Sequence, residues 1–194
     1  MGVFLGTPCT SWSRALRRAL RSRACPMGIP SSELSVVEQS RFANGNASFL
    51  FSCRIIDLCI RCGVPVMLEN PASSLMWSAP RMIQLCKKSE HQQAHFHMCQ
   101  FGTRWQKATR ISSWLAPSLL PLCRKCNGSG GFCSRTSKPH VVLSGRAPGG
   151  AHWTAIAAAY PPLLAKAIAR LMVDGSQRRS LSRLWNLASG LDPV

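Results

Sequence analysis

Two side chains that could do covalent chemistry stand just after short apolar runs. Cys9 follows the run VFLG and a Thr-Pro pair, and Glu69 lies near the end of the run VPVMLEN. Both runs have the composition of buried strands, and an open parallel sheet binds ligands outside the carboxyl ends of its strands. A thiolate can attack an electron-poor ring carbon while a carboxylic acid protonates a ring nitrogen. If the strands are neighbours, this pair shares one cleft; the alternative is that each residue is structural.

A second group of side chains has the chemistry of a metal site. Its members are spaced C-x2-C-x6-C-x6-H, and they are Cys123, Cys126, Cys133 and His140. Zinc prefers such thiolate and imidazole ligands, and a C-x2-C pair supplies two of them from one turn. Cys99 and either His95 or His97 are the alternative ligands. The other interpretation of the region is free thiols in a flexible loop.

The charge of the chain is strongly one-sided. It carries 24 Lys and Arg against 7 Asp and Glu, a formal net charge of +17. Such an excess favours a polyanionic partner, in the first place nucleic acid, over non-specific adhesion. No apolar run reaches the ~18 residues of a membrane span, so we expect no membrane partner. Among the few acids, Glu69 is the only one between Asp57 and Glu90.

The ten cysteines fit an intracellular protein better than a secreted one. We find no signal-peptide pattern at the start of the sequence. Cys53, Cys59 and Cys62 lie in an apolar stretch with a helical pattern, where thiols commonly act as buried hydrophobic side chains. Residues 1–32 are rich in Arg and Ser and have no acid, a composition that leaves an organelle open as the compartment.

The secondary-structure elements that must position these residues are predicted from the periodicity of apolar residues and from the glycines and prolines that interrupt it. A buried strand covers residues 2–6, and residues 11–24 form a basic helix or a mobile loop. A helix capped by Ser31 or Ser32 is expected next. From residue 46 a broad apolar face continues to a helix stop at Gly63, and a strand follows at once. Helix, tight turn and strand form the repeating unit of a doubly wound α/β sheet.

The second half of the chain predicts further elements. A helix is expected near residues 80–88, and two short strands are joined at Gly102. Pro161 and Pro162 can begin a helix that ends near residue 172. Residues 173–194 are polar and basic, and we expect them to form a flexible tail.

Four pieces of the sequence, in this order, resemble the cytosine-5 DNA methyltransferases. GTPCTSWS resembles the Pro-Cys loop of that family, and LENP resembles its Glu-Asn-Val strand end. CQFGTRWQKATRI is similar to its Tyr-Gly-x-Pro-Gln-x-Arg-x-Arg strand. AAAYPPLLAKAIARLM is similar to its Gly-Asn-Ala-Val-Pro-Pro segment and the helix that follows. The resemblance spans residues 2–172.

The resemblance implies a fold and a compartment. The fold would be α/β, an incomplete doubly wound (Rossmann-like) methyltransferase sheet with a small Cys-rich insertion. Residues 1–172 would be the C-terminal part of that domain, and residues 121–140 a zinc knuckle in the target-recognition position. The partner would be DNA, and the protein would be nuclear or nucleoid-associated.

The resemblance also implies roles for individual residues. Cys9 would attack C6 of cytosine, and Glu69 would contact the base after it has been flipped out of the duplex. Pro8 and Asn70 would shape the two turns. Lys107 stands where the family has the first Arg of its Gln-x-Arg-x-Arg strand.

Two further groups of residues could contact nucleic acid. Trp77 lies near the expected cleft and could stack on a base, or it could pack its loop against the sheet. A basic stretch occupies the position of the family's mobile loop and could bind phosphate, or it could be a solvated helix. The phosphate-binding residues would be Arg14, Arg17, Arg18 and Arg21.

The sequence departs from the family pattern at several positions. Trp105 and Thr109 replace the Gln and the second Arg, and Ala157 and Ala158 replace the Gly-Asn pair. The family's Phe-x-Gly-x-Gly loop for S-adenosylmethionine would precede Thr7, where the sequence leaves no room for it. Two alternatives to an active methyltransferase therefore stay open: a catalytically inactive, basic nucleic-acid-binding module, and a truncated product without independent function.

Overall fold

The computed structural model describes residues 2–13, 20–29, 34–88 and 90–188. Its centre is a mixed four-stranded sheet with the strand order β1-β2-β4-β3. The strands are β1 (Val3–Gly6), β2 (Val66–Pro71), β3 (His91–His97) and β4 (Ala108–Trp114). β1 and β2 are parallel, whereas β4 runs antiparallel to both of its neighbours. The predicted α/β class is confirmed.

One helix follows β1, one follows β2, and two follow β4 in succession. They are α1 (Val36–Arg61), α2 (Pro80–Cys86), α3 (Trp153–Ile156) and α4 (Pro162–Ala188). Short 3-10 turns lie at Leu75–Ser78, Met98–Phe101 and Leu120–Leu122. Among the described helices, none combines the length and the hydrophobicity needed to cross a bilayer.

Helix α1 begins at a different residue from the one predicted, whereas it ends at the predicted turn. The helix begins at a capping box, in which Ser35 and Glu38 satisfy each other's backbone N–H groups. The predicted cap at Ser31 or Ser32 is therefore wrong, and those two residues lie outside the described part of the chain. At the other end, Gly63 has a φ of 65°, and β2 follows three residues later, so the helix-turn-strand unit is confirmed.

The sheet is covered on both faces because the side chains of its strands alternate in direction. On β2, Val66 and Leu68 face a core formed with α1 and α2, which also contains Phe49. Met67 points the other way and packs with α4 residues such as Leu164. Two hydrophobic layers therefore hold the strand ends rigidly in place.

Two other predictions have mixed outcomes. The two strands joined at Gly102 are confirmed as β3 and β4, and Gly102 has a φ of 108°. Helix α4 begins as predicted but continues through Ala188, so most of the expected tail at 173–194 is helical. Gly175 lies inside this helix, and a Cβ there would lie 2.8 Å from Cδ of Pro117.

Candidate functional site

Cys9 and Glu69 lie at the same edge of the sheet, as the sequence predicts. The parallel register pairs Gly6 with Glu69, so the loop after β1 and the end of β2 are neighbours. Asn70 joins them, because its side-chain N–H donates a hydrogen bond of 2.7 Å to the carbonyl oxygen of Thr7. Asn70 is fully buried, and its role in holding the turn follows from this contact.

The carboxyl group of Glu69 is buried, with 6% of the residue exposed. Its Oε2 accepts a hydrogen bond of 2.8 Å from the hydroxyl of Tyr160. Its Oε1 is buried and, within the described residues, has no hydrogen-bond partner. Such an oxygen is costly unless it meets a partner, so the position is suited to a polar group from outside the chain.

Tyr160 reaches Glu69 because β1 ends in a glycine. A Cβ on Gly6 would lie 2.8 Å from the Tyr160 hydroxyl, so a larger residue would displace the ring. The ring also packs edge-on against Phe4, with the ring centroids 5.4 Å apart. Tyr160 is the functional residue that sequence reasoning missed, although it is the only tyrosine of the chain and lies in the segment AYPP.

Burial and neighbouring charges shift the pKa values of Glu69, Cys9 and Tyr160. Burial raises the pKa of the Glu69 carboxyl, while the ammonium group of Lys107 and the Tyr160 hydrogen bond act to lower it. Burial also raises the pKa of the Cys9 thiol; Lys107 lowers it and Glu69 raises it further. Burial, followed by the charge of Glu69, raises the pKa of Tyr160 strongly. The carboxyl group therefore keeps its proton to higher pH than an exposed carboxyl group does, and Lys107 is the cation that favours the thiolate.

Lys107 itself is held at the site by the segment before α4. Its Nζ donates a hydrogen bond of 3.3 Å to the carbonyl oxygen of Ala157. The thiol, the carboxyl group, the ammonium group and the phenol thus come from four separate parts of the chain. We call Cys9, Glu69, Lys107 and Tyr160 the strand-end site.

Trp77 packs its own loop in this structure. Its indole N–H donates a hydrogen bond of 2.9 Å to the carbonyl oxygen of Pro71. The guanidinium group of Arg110 lies over its ring, 4.2 Å from the centroid. Both contacts favour the packing interpretation over stacking on a base.

The arginines predicted to bind phosphate divide into two groups. Arg14, Arg17 and Arg18 lie outside the described residues. Arg21 is buried, and its guanidinium group lies 3.5 Å from the ring centroid of Trp12.

The donors of Arg21 are turned inward. They reach the carbonyl oxygens of Ser11 at 3.0 Å and Pro26 at 2.9 Å, and the amide oxygen of Asn46 at 2.7 Å. Burial lowers its pKa to about 10. Arg21 therefore holds the loop together and does not face a phosphate, which corrects its predicted role.

The second candidate site is a cluster of three thiols and one imidazole. Their ligand atoms all lie within 4.8 Å of one another, and the residues are Cys99, Cys126, Cys133 and His140. Such a cluster could hold a metal such as zinc. Three of the four predicted ligands are present, and the fourth is Cys99, the alternative that the sequence offered.

Cys123 is not part of this cluster, so that prediction is wrong. It follows the 3-10 turn Leu120–Leu122, is exposed, and donates its S–H to the carbonyl oxygen of Leu119 at 3.7 Å. His97 lies beside the cluster and not in it, because its Nδ1 accepts the backbone N–H of Cys126 at 2.9 Å. The C-x2-C spacing allows a metal knuckle, but the preceding turn directs the first thiol elsewhere.

A scan against protein-family models and searches of curated proteins and of solved structures give no match to this chain.

Proposed function

We propose that this chain carries the base-binding half of a cytosine-5 methyltransferase-like site that acts on nucleic acid, with DNA as the first choice. Cys9 is the nucleophile and Glu69 the acid. The observation that carries the proposal is the position of both groups at the carboxyl ends of adjacent parallel strands, with one buried carboxyl oxygen left without a partner. The sequence resemblance assigns the same two residues to these roles.

The proposed step is the addition of the Cys9 thiolate to C6 of a flipped cytosine. The S–C6 bond forms, the C5–C6 π pair moves to form a C4–C5 double bond, and the C4–N3 π pair moves to N3. N3 takes the proton of the Glu69 carboxyl group, so charge does not accumulate on the ring. The product is an enamine that is nucleophilic at C5.

The surroundings of Glu69 and Cys9 support this division of roles. A buried carboxyl group with a raised pKa keeps its proton to higher pH than an exposed one, which favours its use as a proton donor. Tyr160 holds Oε2, which leaves Oε1 as the oxygen that meets N3. Lys107 favours the thiolate of Cys9 against the opposing effects of burial and Glu69.

The methyl donor implied by the resemblance is S-adenosylmethionine, which when bound would supply a methyl group to C5. A cavity of about 510 Å³ borders Thr7 and Pro8, and it is lined by the first strand and by α1 residues such as Phe51. The described residues around it include no carboxylate to hold a ribose and no glycine-rich turn. They do not fit this donor, so the proposal ends at base binding and thiol addition.

A test that needs no methyl donor uses an oligonucleotide containing 5-azacytosine, whose C6 is more electrophilic than that of cytosine. We expect a covalent adduct on a denaturing gel, with Cys9 identified as the modified residue by peptide mass spectrometry. Cys9→Ser should abolish the adduct. Cys25→Ser, which changes an exposed thiol in the following loop, is the matched control and should leave it intact. No adduct with the native chain, or an adduct that persists in Cys9→Ser, contradicts the proposal.

A second candidate function is a basic module that binds nucleic acid without chemistry. It is favoured by a cavity of about 410 Å³ beside the thiol cluster, whose lining includes Arg104, Arg135 and Lys138 and, among the described residues, no acid. All three cations are exposed. Cations that face one cavity can bind phosphates through charge and counterion release.

The two functions differ in what binding depends on. For the module, duplex or single-strand binding should weaken steeply with salt and should be unchanged in Cys9→Ser. Arg104→Gln combined with Lys138→Gln should weaken it, whereas Arg54→Gln combined with Arg61→Gln on α1 keeps the same net charge loss away from the cavity. Equal losses in the two double variants would show that only total charge matters.

A further inference from the structure

Residues 123–148 fold without a hydrophobic core of their own. The structure describes this whole segment, and it contains only isolated bridges, such as the one between Phe132 and Pro139. Its buried side chains are those of Cys126 and Cys133, while Phe132 is 50% and Val142 76% exposed. A segment of this length that buries two thiols cannot offset the conformational entropy lost on ordering it.

The two buried thiols meet a third that belongs to the sheet. Cys99 is fully buried in the 3-10 turn Met98–Phe101, directly after β3. His140 completes the group from the other end of the segment, and all four ligand atoms lie within 4.8 Å of one another. A single ion at their centre would tie both ends of the segment to the end of β3.

Polar donors from neighbouring residues contact the sulfur atoms of the cluster. The backbone N–H of Ser134 points to Sγ of Cys126 at 3.3 Å, and the Ser134 hydroxyl lies 3.5 Å from the same atom. The side-chain N–H of Gln100 lies 3.6 Å from Sγ of Cys99 and 3.9 Å from Sγ of Cys133. These contacts fix the positions of the three sulfur atoms around one centre. Each of the three cysteines is free of any disulfide.

We propose that Cys99, Cys126, Cys133 and His140 bind one Zn²⁺ as a closed structural site, and that this ion folds residues 123–148 onto the connection between β3 and β4. Four protein ligands leave no open position, so the site does no chemistry on a substrate. The ion takes the place of a hydrophobic core, and its binding free energy is folding free energy for the segment.

Contacts around the cluster transmit this folding to the sheet. Arg135 donates from Nε to the carbonyl oxygen of Cys99 at 2.9 Å, and the N–H of Val141 donates to the carbonyl oxygen of Arg104 at 2.8 Å. Both contacts bring the segment to the β3–β4 connection. The proposal does not depend on the methyltransferase-like function, because none of the four ligands belongs to the strand-end site.

The experiment uses the full chain purified under reducing conditions. Atomic emission should find one zinc ion per chain, and replacement by Co²⁺ should give the visible bands of tetrahedral thiolate coordination. Cys126→Ser and Cys133→Ser should lose the metal. Cys123→Ser is the matched control, because it removes a thiol of the same segment that lies outside the cluster, and it should retain the full equivalent.

Trypsin provides a second readout on the unmodified protein, which avoids variants that fail to fold. The segment contains four exposed Lys or Arg residues that are not followed by proline: Arg124, Lys125, Arg135 and Arg146. We expect them to resist cleavage with zinc bound, to become sensitive after chelation, and to be protected again when Zn²⁺ is restored. The proposal is overturned by the absence of metal from the reduced chain, by equal metal loss in Cys123→Ser, by cleavage that ignores chelation, or by a disulfide within the cluster.

Discussion

Glu69 lies between two layers of apolar side chains, whereas Cys126 and Cys133 are the only side chains that their segment buries. At the strand-end site, the packed sheet and helices fix the backbone, and strand register sets the positions of the polar groups. In residues 123–148 the polar ligands themselves supply the tertiary contact. A cleft can therefore be positioned by hydrophobic packing, whereas the proposed ion would hold a segment that lacks such packing.

The thiols of the two regions differ in the same way. Cys9 is half-buried without enough donors, so burial raises the pKa of its thiol. Burial acts in the same direction on Cys126, but hydrogen bonds with Ser134, Gly128 and Cys99 outweigh it and lower the pKa of that thiol to about 5. Burial raises the pKa of Cys99, the third thiol of the cluster, to about 12. In the proposed functions, the thiol of Cys9 depends on Lys107 to become a nucleophile, whereas that of Cys126 would serve as a metal ligand.

The largest expected effect is a loss of folding stability when a buried side chain beside the strand-end site is removed. Leu68 is fully buried in β2 beside Glu69, and Leu68→Ala should cost about 3 kcal/mol and lower Tm by roughly 10 °C. Well below that Tm, the zinc content should stay at one equivalent. Leu120→Ala, at a leucine that is 77% exposed, is the control and should change Tm little. Loss of zinc from a variant that is still folded would show that the two regions are not independent.

The next effect is a loss of zinc affinity in residues 123–148 on changing a residue that is not one of the four ligands. A Cβ on Gly128 would lie 1.9 Å from the carbonyl oxygen of Phe132 and 2.8 Å from the backbone nitrogen of Ser134. Overpacking against backbone costs about 1–3 kcal/mol, so Gly128→Ala should weaken zinc binding roughly 10- to 100-fold in a chelator competition. Gly149→Ala, where a Cβ meets nothing within 4 Å, should bind zinc as the native chain does. Equal affinities in the two variants would exclude this packing as a support of the site.

A smaller change sharpens the role of Tyr160. Tyr160→Phe removes the hydrogen bond to Oε2 of Glu69, which costs about 1 kcal/mol for a buried acceptor left without its donor. Because that bond lowers the pKa of Glu69, its loss should raise this pKa further. Thiol addition that requires the protonated carboxyl group should then continue to higher pH. The measurement is the rate of adduct formation as a function of pH. If the pH at which this rate falls is unchanged or lower in Tyr160→Phe, Tyr160 is not part of the proposed site.

The smallest effect tests the cost of the buried carboxylate. The pKa of Glu69 is higher in the folded chain than in the unfolded chain. As pH rises through the folded-state pKa, the native chain therefore loses stability, because the unfolded carboxyl group ionises more easily. Glu69→Gln lacks this loss, so its Tm should exceed that of the native chain at pH 8 by less than about 4 °C, and the difference should vanish at pH 4. Thermal unfolding monitored by circular dichroism at the two pH values measures it.

Asp57 provides a control of opposite sign for that experiment. Burial raises its pKa, but the hydrogen bond from Lys88 and the charge of Arg81 outweigh it, so the net shift is downward. Asp57→Asn should therefore lower Tm at pH 8, and the loss should shrink as the carboxylate of the native chain is protonated at low pH. The same sign in both variants would show that burial does not dominate at Glu69.

Local sequence patterns predicted the parts of the fold that depend on neighbouring residues. Gly63 and Gly102 both take the positive φ that their turns require, and the strands before Cys9 and Glu69 lie where apolar runs indicated. The cap at Ser35 was missed although its Ser-x-x-Glu pattern is local. The continuation of α4 beyond residue 172 was also missed; Gly175, inside that continuation, lies against Pro117, which is far away in sequence.

The sequence by itself determined the residue types, the strand ends and the excess of positive charge. Only the tertiary structure decided that Tyr160 reaches Glu69, that Arg21 turns inward, and that Cys99 replaces Cys123 in the thiol cluster. The physical reason is that strand ends and turns follow from local backbone preferences, whereas these three contacts depend on which distant side chains share a volume once the two faces of the sheet are packed.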